Sequence, residues 1–413
     1  MTSSDLSFRV FVQSVAATRY EDFRDMPDAK VESGAAFDEM RQHLLDLYKE
    51  VEVTHSFIGG CGQIIDCVPT MLHPAVKNGG GYLPTPPPPL GYGSAPPGVA
   101  NGPAAALPPQ LHPDLKDSLG NRMWCPADTL PLPRVTLPQL TRFKRLRDFH
   151  SREPADTAHP ALPPSARTGS VLADRRYALA FQTIDNIGGS SHVNVWRPFV
   201  SVMQESYVQQ WYTAASGTVL QTVECGWHVD HQRYHDHDPR LFTYWTRDTY
   251  VTGDFNLDNR AFVPNPNANW LPGVGLRFSQ AGGQQTEYAM GFFLTGGAWW
   301  FHFNGQWLGS YPVSLFRGGP MASHAKSIEF GGEVRTGFSF WPPMGSGALA
   351  AAGFGKAAYQ RDALVTPVGG SAQQANLTPS PSPGNCYTID VMNHSSAPWG
   401  SFMFFGGPGG SNC

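Results

Sequence analysis

The sequence predicts a mainly β protein: a β-sandwich or jelly roll preceded by a smaller α+β module. Three observations carry this. Over residues 174–413, short aromatic or β-branched runs alternate with Gly, Pro, Asn and Asp at close spacing, the pattern of many short strands joined by turns. The 413 residues include 44 Gly and 37 Pro, which suits turns and not long helices. Only 15% of residues are charged while 11 Trp, 14 Tyr and 25 Phe supply a large apolar area. Such a chain is neither a coiled coil nor wholly disordered, and without a glycine period of three it is not collagen.

Residues 1–30 are polar and suggest no element. Residues 36–50 place Phe37, Met40, Leu44, Leu45 and Tyr48 at helical spacing and predict a helix. VTHSFIGGCGQIIDCV (53–68) reads as two short strands about a Gly-Gly turn. Residues 78–121 open with a Pro-, Gly- and Ala-rich tract that cannot build a core and suits a linker or exposed loop. RVTLPQLTRFKRLRDFHSR (134–152) is a basic helix candidate. A second Pro-rich tract follows, suited to proteolytic nicking. From there the strand candidates run without a convincing helix, among them YALAFQTI (177–184), HVNVWRPFV (192–200), TVLQTVECGWHV (218–229) and AWWFHFNGQWLGSYPV (298–313). The expected organisation is a module over 1–150 with a Pro-rich insertion at 78–121, a linker over 151–173, and a β domain over 174–413.

The formal charge is −4 and the 14 His would turn it positive in acid. No basic stripe suggests a nucleic-acid partner, and no apolar stretch is long enough for a membrane span. The six cysteines (Cys61, Cys67, Cys125, Cys225, Cys386, Cys413) contain no CxxC pair. Their even count and wide spacing suit disulfides in an oxidising compartment, with fifteen pairings open. The protein is therefore expected to be secreted, with an export signal already trimmed from this chain, and monomeric.

In a β domain poor in carboxylates, Glu224 (TVECGW) and Glu333 (FGGEV) stand out, each among β-prone residues beside glycine. A carboxylate on an inner strand face is costly unless it is paired or used. Two facing each other would share a proton and divide into acid and base. The plainer reading makes each a solvent-facing residue with a partner such as Arg335. The segment HVDHQRYHDHDPR (228–240) holds four His and three Asp. Its spacing is not that of a helical metal motif, and Pro239 argues for a solvated, pH-sensitive loop. No metal or other cofactor is expected.

Several strings together resemble the neprosin family of glutamic peptidases, which includes a prolyl endopeptidase. They are TVECGWHV with YHDHDPRLFTYWTRDTYVTGDFN (222–256), SLFRGGPMASHAKSIEFGGEV (314–334), MGSGALAAAGFGKAAYQR (344–361), and CYTIDV with WGSFMFFGGPGGSNC at the end. IIDCVPTMLHPAV (64–76) and WCPADTLPLP (124–133) resemble the family's activation peptide. The resemblance implies a concanavalin-like antiparallel sandwich and catalytic glutamates at Glu224 and Glu333. It also implies synthesis as a zymogen inhibited by its own propeptide, action in acid, and cleavage of Pro-rich peptides after proline. Gln209 lies in a segment similar to one holding the family's glutamine and is a candidate oxyanion donor. Trp227, Tyr234, Tyr244 and Trp245 are candidates for a wall against the proline ring. Cys67 with Cys125 and Cys386 with Cys413 are the family-like disulfides. That leaves Cys61 and Cys225, read either as a further disulfide tethering the pro-module beside Glu224 or with Cys225 as a small buried thiol. The segment Thr252–Asn259 lacks the cysteine the family often carries there. The competing classes are a carbohydrate-binding or glycoside-hydrolysing sandwich, which also uses paired carboxylates, and an inactive binding relative.

Overall fold

A computed structural model describes residues 6–81, 83, 85–88, 90, 95–99, 107–152, 174–380, 385–411 and 413. Most of the expected linker, 153–173, lies outside the described residues.

The N-terminal module has its own core. Helix α1 (Phe8–Ala17) is capped by Ser7, whose side chain accepts from Val10 N. It was not anticipated, although Phe8, Phe11, Val12 and Val15 form a helical stripe packed on the rest of the module. Helix α2 (Gly34–Tyr48) is the expected one, capped by Ser33. A three-stranded antiparallel sheet follows, β1 (His55–Ile58), β2 (Ile64–Pro69) and β3 (Thr129–Pro133), in that order. Helix α3 (Pro74–Asn78) leaves β2. The basic helix expected over 134–152 is instead two short turns, α4 (Leu137–Leu140) and α5 (Leu146–His150). Pro138 starts the first, as proline does at N-terminal helix positions. Phe37, Met40, Leu44, Leu132, Leu140, Phe143 and Phe149 close this core.

The remaining strands are β4 (Arg175–Asn194), β5 (Gln204–Ser216), β6 (Val219–Asp230), β7 (Arg240–Thr246), β8 (Gly253–Phe255), β9 (Val263–Pro264), β10 (Glu287–Thr295), β11 (Ala298–Phe303), β12 (Gln306–Pro312), β13 (Ala325–Thr336), β14 (Ala358–Pro367), β15 (Gln373–Gln374), β16 (Thr378–Pro379), β17 (Thr388–Met392) and β18 (Phe402–Gly406). They join in one curled antiparallel sheet whose main path runs β8-β7-β6-β5-β13-β4-β10-β11-β12-β9. A single turn of helix, α6 (His231–Tyr234), follows β6.

The strand expected at 177–184 extends into the 20-residue β4, which takes in only His192–Asn194 of the strand expected at 192–200; residues 195–200 leave the sheet. The first half of β4 pairs with β13 and its second with β10 and β14. The sheet thereby folds back on itself, and β10–β12 cover one face of β5–β7. Tyr212 packs on Phe292 and Trp299, Trp245 on Tyr311, and Tyr311 donates its hydroxyl to Thr243 at 3.0 Å across the layers. This is the main core, and strand alternation leaves the opposite face of β4–β8 and β13 to carry polar groups.

Cys67–Cys125 and Cys386–Cys413 are disulfide-bonded. Cys61 and Cys225 are free thiols, which removes the proposed tether. Cys225 points into the main core and Cys61 Sγ accepts from Gly275 N. Among the described residues no helix is long and apolar enough to cross a membrane.

Candidate active site

Register places three side chains on one face of three adjacent strands. Glu224 on β6 lies opposite Trp211 of β5, and Glu333 on β13 lies opposite Tyr207 of β5. Gln209 sits midway between those two positions on β5, so all three share a face. Gln209 has glycine on both sides, Gly226 on β6 and Gly331 on β13. A Cβ at Gly226 would stand 2.1 Å from Val208 O, and one at Gly331 (φ +149°) 2.3 Å from Ala178 O. The glycines therefore permit close backbone approach and leave the floor around Gln209 clear of side chains.

The two carboxylates are buried, Glu224 at 0% and Glu333 at 1% exposure. Such charges persist only when paired. Glu224 Oε1 accepts from Thr222 Oγ1 at 2.8 Å and from Tyr250 OH at 2.9 Å. Glu333 Oε2 accepts from Gln209 Nε2 at 2.8 Å, and its Oε1 pairs with Arg175 Nη1. Both remaining positions meet one guanidinium. Arg152 Nη1 donates to Glu224 Oε2 and to Gln209 Oε1, the latter at 2.9 Å, and Arg152 Nη2 donates to Glu333 Oε2 at 2.5 Å. Two cations thus balance two carboxylates. Burial works against the charge on Arg152, but Glu333, with Tyr207 and Tyr250, outweighs it and raises its pKa. The guanidinium also lies 4.5 Å from the Tyr207 ring centre and 5.8 Å from those of Phe242 and Tyr244.

Arg152 arrives from the N-terminal module, two residues past α5. Ser151 Oγ donates to Tyr250 O at 2.9 Å, Arg233 Nη2 donates to Phe149 O at 2.6 Å, and Arg175 Nη2 donates to Arg152 O. Arg233 itself stacks on Phe143, Phe149 and Phe255 and pairs with Asp258.

The other expected residues divide by strand parity. Tyr244, opposite Glu224 on β7, is on the site face with Tyr207, Phe242, Tyr250 and Phe255. Trp227 and Trp245 point the other way, into the main core, and donate to Asn194 O and Asp254 Oδ1. They are not part of the candidate site, because each lies an odd number of residues from Glu224 or Tyr244 on its strand. Tyr234 belongs to α6 and bonds His228 and Asn256. His228 is buried among Tyr207, Phe242 and Phe255, and burial pushes its pKa well down. His231 stacks with His235 and His237.

Arg152, Arg175, Tyr250 and Thr222 were missed. For Thr222 the signal was present: residues 222, 224, 226, 228 and 230 are polar or glycine while 223, 225, 227 and 229 are apolar or cysteine, so the strand's polar face was legible. Arg152 carries no such local mark.

A face of this kind, with a buried glutamate pair flanking a glutamine, suits the glutamic peptidases. The family comparison places the chain there: the Neprosin family model matches residues 202–408, which include Gln209, Glu224 and Glu333, and the chain belongs to the Neprosin family. Among solved structures it is similar to scytalido-glutamic peptidase with a transition state analog inhibitor, at 11% identity over 56% of this chain and 97% of that one, TM-score 0.33. A second structure of scytalido-glutamic peptidase, with a peptide based transition state analog, matches at 12% identity over 57% and 97%, TM-score 0.30. SCP-B, a member of the Eqolisin family of peptidases in a complex with the tripeptide Ala-Ile-His, matches at 11% identity over 57% and 97%, TM-score 0.28.

Proposed function

We propose that the chain is the secreted zymogen of an acid-acting glutamic endopeptidase that cleaves after proline. Residues 1–150 form its inhibitory module, 151–173 the activation linker and 174–413 the catalytic domain. One observation supports this above the others: Glu224 and Glu333, far apart in sequence, reach a single guanidinium on one face of the sheet.

Peptide hydrolysis without a metal or a protein nucleophile needs an activated water and a proton donor. One glutamate takes a proton from water as its oxygen attacks the scissile carbonyl carbon. The other, protonated in acid, gives its proton to the amide nitrogen as the C–N bond breaks. In this reading Gln209 Nε2, which here donates to Glu333, turns to donate to the oxyanion. The Tyr207, Phe242 and Tyr244 faces suit a proline ring, and the Gly226–Gly331 floor admits substrate backbone.

The test is turnover of a Pro-containing peptide in acid by Glu224→Gln and Glu333→Gln, after linker cleavage, with EDTA and pepstatin present. Each variant is expected to lose nearly all activity. If either keeps most of the parental rate, the pair is not the machinery. Products cut elsewhere than after proline would remove the specificity alone.

A further inference from the structure

We propose that Arg152 is the latch of the latent enzyme: its guanidinium occupies the place of water and scissile amide between Glu224 and Glu333, and cutting the linker does not remove it. This rests on reading those glutamates as the working pair, and it adds where latency resides and what releases it.

The fit is that of a built site. Arg152 is 3% exposed, each terminal nitrogen bonds a different glutamate, and the amide of Gln209 closes the fork. The segment leading into it is held as well: Ser151 Oγ donates to Tyr250 O, Phe149 O accepts from Arg233, and the carbonyl of Arg152 itself accepts from Arg175. While Arg152 is in place, its guanidinium occupies the space between the two carboxylates where water and the scissile amide would have to sit.

The chain path gives the second half. Arg152 ends the described N-terminal segment, and Asp174, the next described residue, accepts from Arg335 at 3.2 Å on the sheet. A cut anywhere in 153–173 therefore leaves Arg152 on the N-terminal fragment. That fragment has its own core, and the two disulfides each close on one side of the cut. After cleavage only non-covalent docking keeps the guanidinium in the site.

Acid acts on that docking. The groups around Arg152 are Glu224 and His228 on β6, Glu333 on β13, Glu205 and Tyr207 on β5, Arg175 on β4, Tyr244 on β7 and Tyr250 in the turn before β8. Protonating a carboxylate removes acceptors and negative charge. Protonating His228 adds a repelling cation. Every proton gained here loosens the latch.

The experiment uses the full chain with a specific protease site placed within 153–173, nicked at neutral pH and followed by gel filtration down a pH series. The nicked parent is expected to elute as one species near neutrality and as two in acid. Arg152→Gln should weaken fragment association by at least about tenfold and move separation to higher pH. Arg152→Lys should fall between, since an ammonium cannot fork to both carboxylates. Glu224→Gln/Glu333→Gln should also separate at higher pH. If Arg152→Gln and the parent separate at the same pH, Arg152 is not the latch. Should Arg152→Gln not fold, Arg152→Lys and the double glutamine variant decide by the same criterion. Because the readout is association, it is independent of whether the glutamates prove catalytic.

Discussion

Gln209 donates Nε2 to Glu333 at 2.8 Å while its Oε1 accepts from Arg152, so one amide is held from both sides of the candidate site. The arrangement fixes which end of the amide faces Glu333. If that NH₂ turns to the oxyanion during catalysis, Gln209→Ala should lower kcat by about 10²–10³ with little change in KM. Steady-state kinetics of the acid-activated variant measure this. A loss within about threefold would relegate Gln209 to a structural polar group.

Glu224 presents only one oxygen to Arg152 because the other is taken by Thr222 and Tyr250. Tyr250 reaches it from a turn in which Thr249 and Tyr250 both have positive φ, 58° and 65°. Backbone strain of this kind persists where the surroundings over-determine it. Tyr250→Phe removes one hydrogen bond, worth about 1 kcal/mol, and should cost several-fold in kcat. Thr222→Val with Tyr250→Phe should cost more than the product of the two single losses, since the buried oxygen is then unsatisfied. KM should stay near the parental value, because both act through Glu224 and not on substrate. Equal losses in KM alone would count against a positioning role.

The fold was legible where periodicity was strong. The α2 stripe and most of the β-prone runs translated into helix and strands, and Glu224 and Glu333 stood out as carboxylates beside glycine in β-prone runs. What the strings could not convey was direction over long range. Trp227 and Trp245 looked like neighbours of Glu224 because they are near in sequence, yet strand alternation sends them into the core. Arg152 was invisible for the opposite reason. It is one basic residue at the edge of a Pro-rich tract, and its partners lie on β5, β6 and β13, brought together only by the docking of α5. Cys225 shows the same effect of alternation: adjacent to Glu224 in sequence, it faces away from the site into the main core, and both it and Cys61 are free thiols.

Asp254 on β8 gives a pH dependence of stability separate from catalysis. Burial lifts its pKa from 3.8 to about 8, aided by Asp258 and opposed by the hydrogen bond from Trp245. The folded state therefore binds the proton more tightly than the unfolded chain. Its contribution is complete below the unfolded value and is lost as pH rises through about 8. Asp254→Asn keeps an acceptor for Trp245 and cannot ionise. The variant should match the parent in acid and gain on it by about 4–7 kcal/mol as pH rises through that window. Thermal unfolding across the series reads the difference, and a gap that does not widen with pH would show that Asp254 ionises freely.

The opposite sign operates where the module docks. His43 of α2 and His150 of α5 stand edge to face with ring centres 4.9 Å apart. Burial lowers His43 to about 4, with Arg260 adding to the effect and Asp46 opposing it. His150 is pushed well down by burial, then by His43 and Arg233. Neither ring nitrogen of His150 finds a hydrogen-bond partner among the described residues. A histidine with a lowered folded pKa contributes stability above its unfolded value, and that contribution is lost as pH falls from 6.5 toward 4. Since α5 leads directly to Arg152, protons taken up here strain the segment that carries the latch. His43→Leu with His150→Phe removes both titrations while keeping apolar volume. The nicked double variant should stay associated to lower pH than the nicked parent, and its unfolding free energy should fall less between those two pH values, by about 1–3 kcal/mol. If parent and variant separate at the same pH, acid release is governed by the carboxylates around Arg152 and His228, and the pair at α2 and α5 only packs.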